Sequence, residues 1–184
     1  MKIRQFGDPV LRQTSNAVTD EDFSSSRVHE ILSEMRDVLN GIQAISSENG
    51  NALSAPQLGY SLRIILLRLN QEFVAMINPE FRTLDEAVFA FEEECFSMYQ
   101  LRATLERYQT IEVKYLDENN KPQLLKLLGD DAGLLQHEVD HLNGILFIDR
   151  LTQGQEVRSI DYDLRDQPQR LAQVKNMLDY MVTN

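Results

Sequence analysis

The chain has 184 residues, 42% of them hydrophobic and 26% charged, which suits a single domain over residues 1–184 and excludes a globally disordered polymer. Its net charge of −11 argues against DNA or any other phosphate backbone as the main partner. No apolar run reaches membrane-spanning length, and Met1-Lys2-Ile3-Arg4 leads into polar residues, so neither a membrane partner nor a signal-peptide core is expected. One cysteine permits no internal disulfide, and the simplest setting is a reducing cytoplasm.

Gly7-Asp8-Pro9 is a turn signal, with an extended stretch expected through Val10 and Leu11. Thr19, ahead of Asp20 and Glu21, reads as a helix cap, and Val28, Ile31, Leu32, Met35, Val38 and Leu39 recur at helical spacing. Together they predict an amphipathic helix to about Asn40. His29 falls between those apolar positions and is expected to face solvent. The polar stretch 45–51 reads as a loop. Buried strands are expected at 62–69 and 73–77, the second ended by Asn78-Pro79, and a short strand at 88–91. Ile111, Val113 and Tyr115 alternate with Glu112, Lys114 and Leu116 as in a half-exposed strand, and a turn at 117–121 returns the chain along 124–128. A helix is expected from about Asp131 to Asn143, stopping at Gly144, and a last amphipathic helix from near Pro168. Antiparallel strands followed by a buried helix and a terminal helix indicate an α+β fold.

Two of the three histidines stand four residues apart in His137-Glu138-Val139-Asp140-His141. Positions i and i+4 of a helix share a face, so both imidazoles can reach one cation while Glu138 lies beside it as a base. No third ligand lies nearby in sequence, and the lone Cys95 is the first candidate.

The flanks sharpen this reading. The string Gln136-His137-Glu138-Val139-Asp140-His141-Leu142-Asn143-Gly144 matches QHExDHLxG, the third motif of the peptide deformylases, at every fixed position. Gly50 to Gln57 resembles that family's GxGLAAxQ motif, and Glu93-Glu94-Cys95-Phe96-Ser97 its EGCLS motif. The segments 7–12, 77–80 and 144–151 are also similar to it. The chain therefore resembles the peptide deformylases over nearly its whole length, with the motifs in order.

The resemblance implies a deformylase-like fold, antiparallel or mixed sheets around a central HExxH helix with further helices towards either end. It implies an enzyme that removes the N-formyl group from the N-terminal methionine of nascent polypeptides and releases formate. Cys95, His137 and His141 would hold one divalent ion, ferrous iron natively, although thiolate and imidazoles also suit zinc, nickel or cobalt. Glu138 would serve as the base, with Gln57 and the Phe96 backbone N–H as oxyanion donors. Peptide binding would resemble strand addition along Asn51, Ala52 and the segment 93–96, near Arg102. The methionine pocket would be walled by Phe91, Gly133, Leu134 and His137.

Several departures from the pattern matter. Ala52 replaces a motif glycine. Glu94 replaces the glycine before the cysteine, either crowding the peptide groove or turning outward. Phe96 replaces leucine, and Met98-Tyr99-Gln100 replaces a small turn. An altered substrate, or a peptide N-terminus binder with little turnover, are the alternatives these changes raise. Residues 165–184 carry Arg165, Arg170 and Lys175 against Asp166 and Asp179, a net +1, so only weak ribosome contact is expected.

Overall fold

In a computed structural model, which describes residues 2–183, Asp8 caps a short 3-10 turn, Pro9–Arg12. Its carboxylate accepts from the Val10 N–H at 3.1 Å, and the proline supplies a helical φ at the first position. A turn thus stands where an extended stretch is expected. The next helix is broken in two: α1 spans Asp20–Ser24 and α2 spans Arg27–Ile45. Thr19 and Asp22 cap α1 reciprocally, and Ser26 at φ 63° separates the pair. Helix α2 buries Val28, Ile31, Leu32, Met35, Val38, Leu39 and Ile42, while His29 faces solvent as expected.

β1 (Ala52–Ser54) leads through the single turn α3 (Ala55–Leu58) to β2 (Ile64–Leu69) and β3 (Glu72–Thr83). β3 does not stop at Asn78-Pro79. Asn78 takes φ 51°, the ladder shifts register between Ile77 and Glu80, and the strand continues. The Asn78 amide holds the kink by accepting from Val18 N–H at 2.8 Å and donating to Val18 C=O at 2.9 Å.

Next come β4 (Val88–Glu94), β5 (Leu101–Tyr108), β6 (Thr110–Leu116) and β7 (Pro122–Leu128). β5 has no counterpart among the expected strands, and its pairing carries β4 three residues beyond Phe91, to Glu94. Helix α4 follows at Gly129–Leu142, then β8 (Arg158–Ser159), α5 (Ile160–Asp163) and α6 (Pro168–Val182).

The strands form two sheets, β1-β2-β3-β6-β7 and β4-β5-β8, with every named pairing antiparallel. Helix α4 packs against strands of both. The apolar run of β2 is buried on its two faces. Ile64 and Leu66 join α2 and α6, whereas Ile65 and Leu67 meet Leu135, Val139 and Leu142 of α4. β1 is an outer strand of one sheet and β4 of the other.

Helix α4 ends at Leu142. Gly144 turns the chain at φ +71°, and the Ile145 N–H bonds back to the Asp140 carbonyl at 2.9 Å. A Cβ there would stand 2.7 Å from the Arg12 carbonyl oxygen. Gly144→Ala is expected to destabilise the protein by about 2 kcal/mol, lowering the Tm by roughly 4–8 °C in a calorimetric scan.

Candidate metal centre

One helical turn separates His137 from His141, so α4 presents both rings on the side facing the end of β4. Cys95, the residue after β4, completes the group. The three side chains are buried, and their ligand atoms lie within 4.8 Å of one another, with Cys95 Sγ and His141 Nε2 at 3.2 Å. Burial holds His141 well below its ordinary pKa, which keeps its ring neutral. Burial also disfavours the His137 cation, but the Cys95 sulfur and the Glu93 carboxylate outweigh it and raise that pKa. A divalent cation binds the deprotonated sulfur and neutral imidazoles, so it would release whatever protons those groups hold. Thiolate, two imidazoles and this spacing therefore fit one divalent ion.

The ligands are braced from behind. Glu93 Oε2 contacts His137 Nδ1 at 2.5 Å, leaving Nε2 for the centre. Arg107 of β5, which stands opposite Phe89, reaches along the ladder to donate to Glu93 at 2.7 Å and to Asp140 at 2.7 Å. Arg150 closes the chain with two contacts to Asp140. Burial alone would push Glu93 upward, but His137 and Arg107 together hold its pKa below the usual value. Neither Arg107 nor Asp140 has a role in the sequence reading; the charged Asp140 inside an otherwise buried helix face is the available signal.

Glu138 is 3% exposed, and its Oε2 has no partner among the described residues. Burial lifts its pKa to about 7, against a smaller opposing effect of His137 and a Ser54 hydrogen bond. Such a carboxylate can exchange a proton near neutrality. Gln57 sits in α3, where its Oε1 accepts from the Ser54 N–H at 3.0 Å and hydroxyl at 3.1 Å. This fixes its amide group, whose Nε2 points towards Cys95 Sγ at 3.8 Å and Ser97 Oγ at 3.3 Å.

A cavity of ≈ 250 Å³ opens beside these groups. Of the sequence-proposed residues, Asn51, Ala52, Gln57, Phe91, Glu94, Cys95, Phe96, Arg102, Leu134, His137 and Glu138 all border it. Gly133 lies one layer back, where a Cβ would meet the Phe91 ring at 2.7 Å. His141 is the buried ligand behind the cavity wall. Ala52 lies in β1 without a positive φ, so its methyl group meets no backbone penalty. Phe96 begins a 3-10 turn after Cys95 and stacks on Tyr99, ring centres 5.9 Å apart. Glu94 turns neither fully outward nor across the groove: directly opposite Arg102 in the β4–β5 register, it forms an ion pair at 2.7 Å. Burial raises its pKa, and Arg102 opposes that shift.

An α+β scaffold that gathers a thiolate, two imidazoles, a neighbouring carboxylate and a polar amide around an open cavity defines a metal-dependent hydrolase of the HExxH type. The polypeptide deformylase family model matches residues 1–157, and the chain belongs to that family. A peptide deformylase of Prochlorococcus marinus (strain MIT 9312) is 34% identical over 163 residues, covering 86% of this chain and 77% of the relative. The crystal structure of the Thermotoga maritima peptide deformylase is 36% identical, with a TM-score of 0.68, over 82% of this chain and 96% of that one. An Acinetobacter baumannii class I type b peptide deformylase with Met-Ala-Ser bound is 28% identical, with a TM-score of 0.71, over 81% and 96%. The family is metal-dependent, and the Cys95, His137 and His141 cluster is the group among the described residues placed to hold an ion.

Replacing Glu93 by alanine is expected to weaken cobalt or zinc binding about 10–100-fold, read by competition with a chromophoric chelator. Arg107→Met, which leaves Glu93 and Asp140 without their shared cation, should cost about 3–5 kcal/mol in denaturant unfolding.

Proposed function

We propose that the deformylase reaction of this family, removal of the N-formyl group from nascent peptides, is carried out here by Glu138 and Gln57 around an ion held by Cys95, His137 and His141. The observation that carries this assignment is the meeting of those ligands beside a buried carboxylate with an unpartnered oxygen.

A divalent ion at that position would polarise the formyl oxygen and acidify a water molecule. Glu138 takes the proton as water attacks the formyl carbon, and gives it to the departing amine. The Gln57 Nε2 donor and the Phe96 backbone N–H stabilise the negative charge that develops on the formyl oxygen. Gln57 needs little reorganisation, because Ser54 already orients its amide. Products are formate and a free N-terminal methionine.

The peptide is read by the backbone of the two outer strands. β1 and β4 both border the cavity, each belonging to a different sheet, so an extended substrate can pair between them. Phe91 and Leu134 form the apolar side of the methionine pocket, and Gly133 sets the depth at which Phe91 rests. Ferrous iron is our assignment for the native metal, with zinc, nickel and cobalt as replacements that the donor set accepts.

One apolar cluster holds both Ile3 and Met181, which supports reading 1–184 as one domain. No helix among the described residues is long and apolar enough to cross a membrane, and we place the enzyme in the cytoplasm with its nascent substrates. Arg165, Arg170 and Lys175 each have an acidic neighbour, Asp166, Glu48 and Asp161, which favours at most weak ribosome contact.

Formate release from formyl-Met-Ala-Ser by the metal-loaded protein tests the assignment. Glu138→Ala should lower kcat about 10²–10⁴-fold with the metal retained, and Gln57→Ala about 10²–10³-fold. Formate production unaffected by Glu138→Ala, or untouched by complete chelation, would refute this mechanism.

A further inference from the structure

Helix α6 lies beyond the residues matched by the family model, yet it forms a wall of the same cavity as the metal ligands. It is firmly seated there. Val174, Met177 and Met181 enter the core, Gln173 Nε2 donates to the Ile45 carbonyl at 2.8 Å, and the Lys2 N–H reaches the Met181 carbonyl at 3.0 Å. Tyr180 lies so close to Gly41 of α2 that a Cβ there would overlap its hydroxyl. From this seat Arg170 overlooks the cavity from one side and the 45–50 loop from the other.

The charged groups around the cavity are unequally engaged. Glu94 holds Arg102, and Glu92 is held by Arg158 and by the Thr104 hydroxyl at 2.8 Å. Among the described residues Arg170 forms one ion pair, with Glu48 at 3.8 Å and the two side chains 51% and 78% exposed, while its charge also acts from further off on Glu94, whose own close partner is Arg102. A pair so loose and so wet is easily exchanged. Beyond Arg170 the cavity runs into a polar cleft between α6 and the loop, lined by Ser46, Glu48, Gln169 and Asn176 among others. Arg102 adds a buried Nε without a partner among the described residues, on the same side.

We propose that Arg170 is a specificity-determining residue of the substrate groove: it receives an acidic side chain carried by the peptide shortly after its formyl-methionine, displacing Glu48. This inference rests on the deformylase assignment and adds a preference for Asp or Glu over Lys or Arg downstream of the first residue. Successive residues of an extended peptide advance about 3.3–3.6 Å, so one position within the next three meets the guanidinium.

The test uses the metal-loaded full chain and N-formyl-Met peptides bearing Glu, Ala or Lys at the second, third or fourth position in turn. At one of these positions the Glu peptide should exceed the Lys peptide in kcat/KM by about three- to fivefold, the scale of a half-exposed ion pair. The ratio should shrink towards one as salt rises. It should invert in Arg170→Glu, fall to one in Arg170→Gln, which keeps most of the side-chain packing, and keep its sign in Arg170→Lys. Equal rates for Glu and Lys peptides at all three positions would overturn the proposal, as would a ratio that ignores Arg170→Glu. Absence of formate from the neutral Ala peptides would instead remove the deformylase assignment itself, and the proposal with it.

Discussion

The centre depends on the contact between Glu93 and His137. It is the point where the small sheet is tied to the central helix, since Glu93 belongs to β4 and His137 to α4. Both partners are buried, so the carboxylate is tolerable only because Arg107 and the imidazole share its charge. Through Arg107 the same carboxylate is linked to Asp140, and through Asp140 to the half-exposed Arg150. Four charged side chains thus fix the relative position of β4, β5 and α4, and Cys95 inherits its position from β4.

That tie has a geometric result. The outer strand of one sheet and the outer strand of the other both border the same cavity. The groups assigned to the reaction gather beside this cavity: α4 supplies Glu138 and the imidazoles, α3 supplies Gln57, and the β4 exit supplies Cys95 and Phe96. In the proposed reaction, recognition and chemistry would therefore come from the same few segments, and β4, which borders the cavity, also leads directly into Cys95.

The metal helix was legible because its spacing is local: two histidines one turn apart are recognisable without tertiary knowledge. Cys95 and Gln57 became legible through motif order, not periodicity. Other features depend on partners far along the chain. β5 pairs with β4 through residues such as Arg102 and Arg107, whose charges mask a strand pattern. Asn78-Pro79 is a stop signal, yet the Asn78 side chain binds Val18 and lets β3 resume beyond a kink. The break at Ser26 lies between the well-capped turn α1 and the apolar periodicity that begins at Val28, and carries no glycine or proline to announce it. The place of α6 beside the groove was likewise hidden: an amphipathic pattern states that a face is covered, never by what.

Gly133 lies in the middle of α4 at an ordinary helical φ, where alanine would favour the helix by up to about 1 kcal/mol. What stands against alanine is the aromatic ring of Phe91 pressed onto the helix. A single added methyl would displace that ring, which borders the cavity. The position of a cavity-lining ring is therefore set by an atom that is missing, and a more rigid helix would come with a shifted wall.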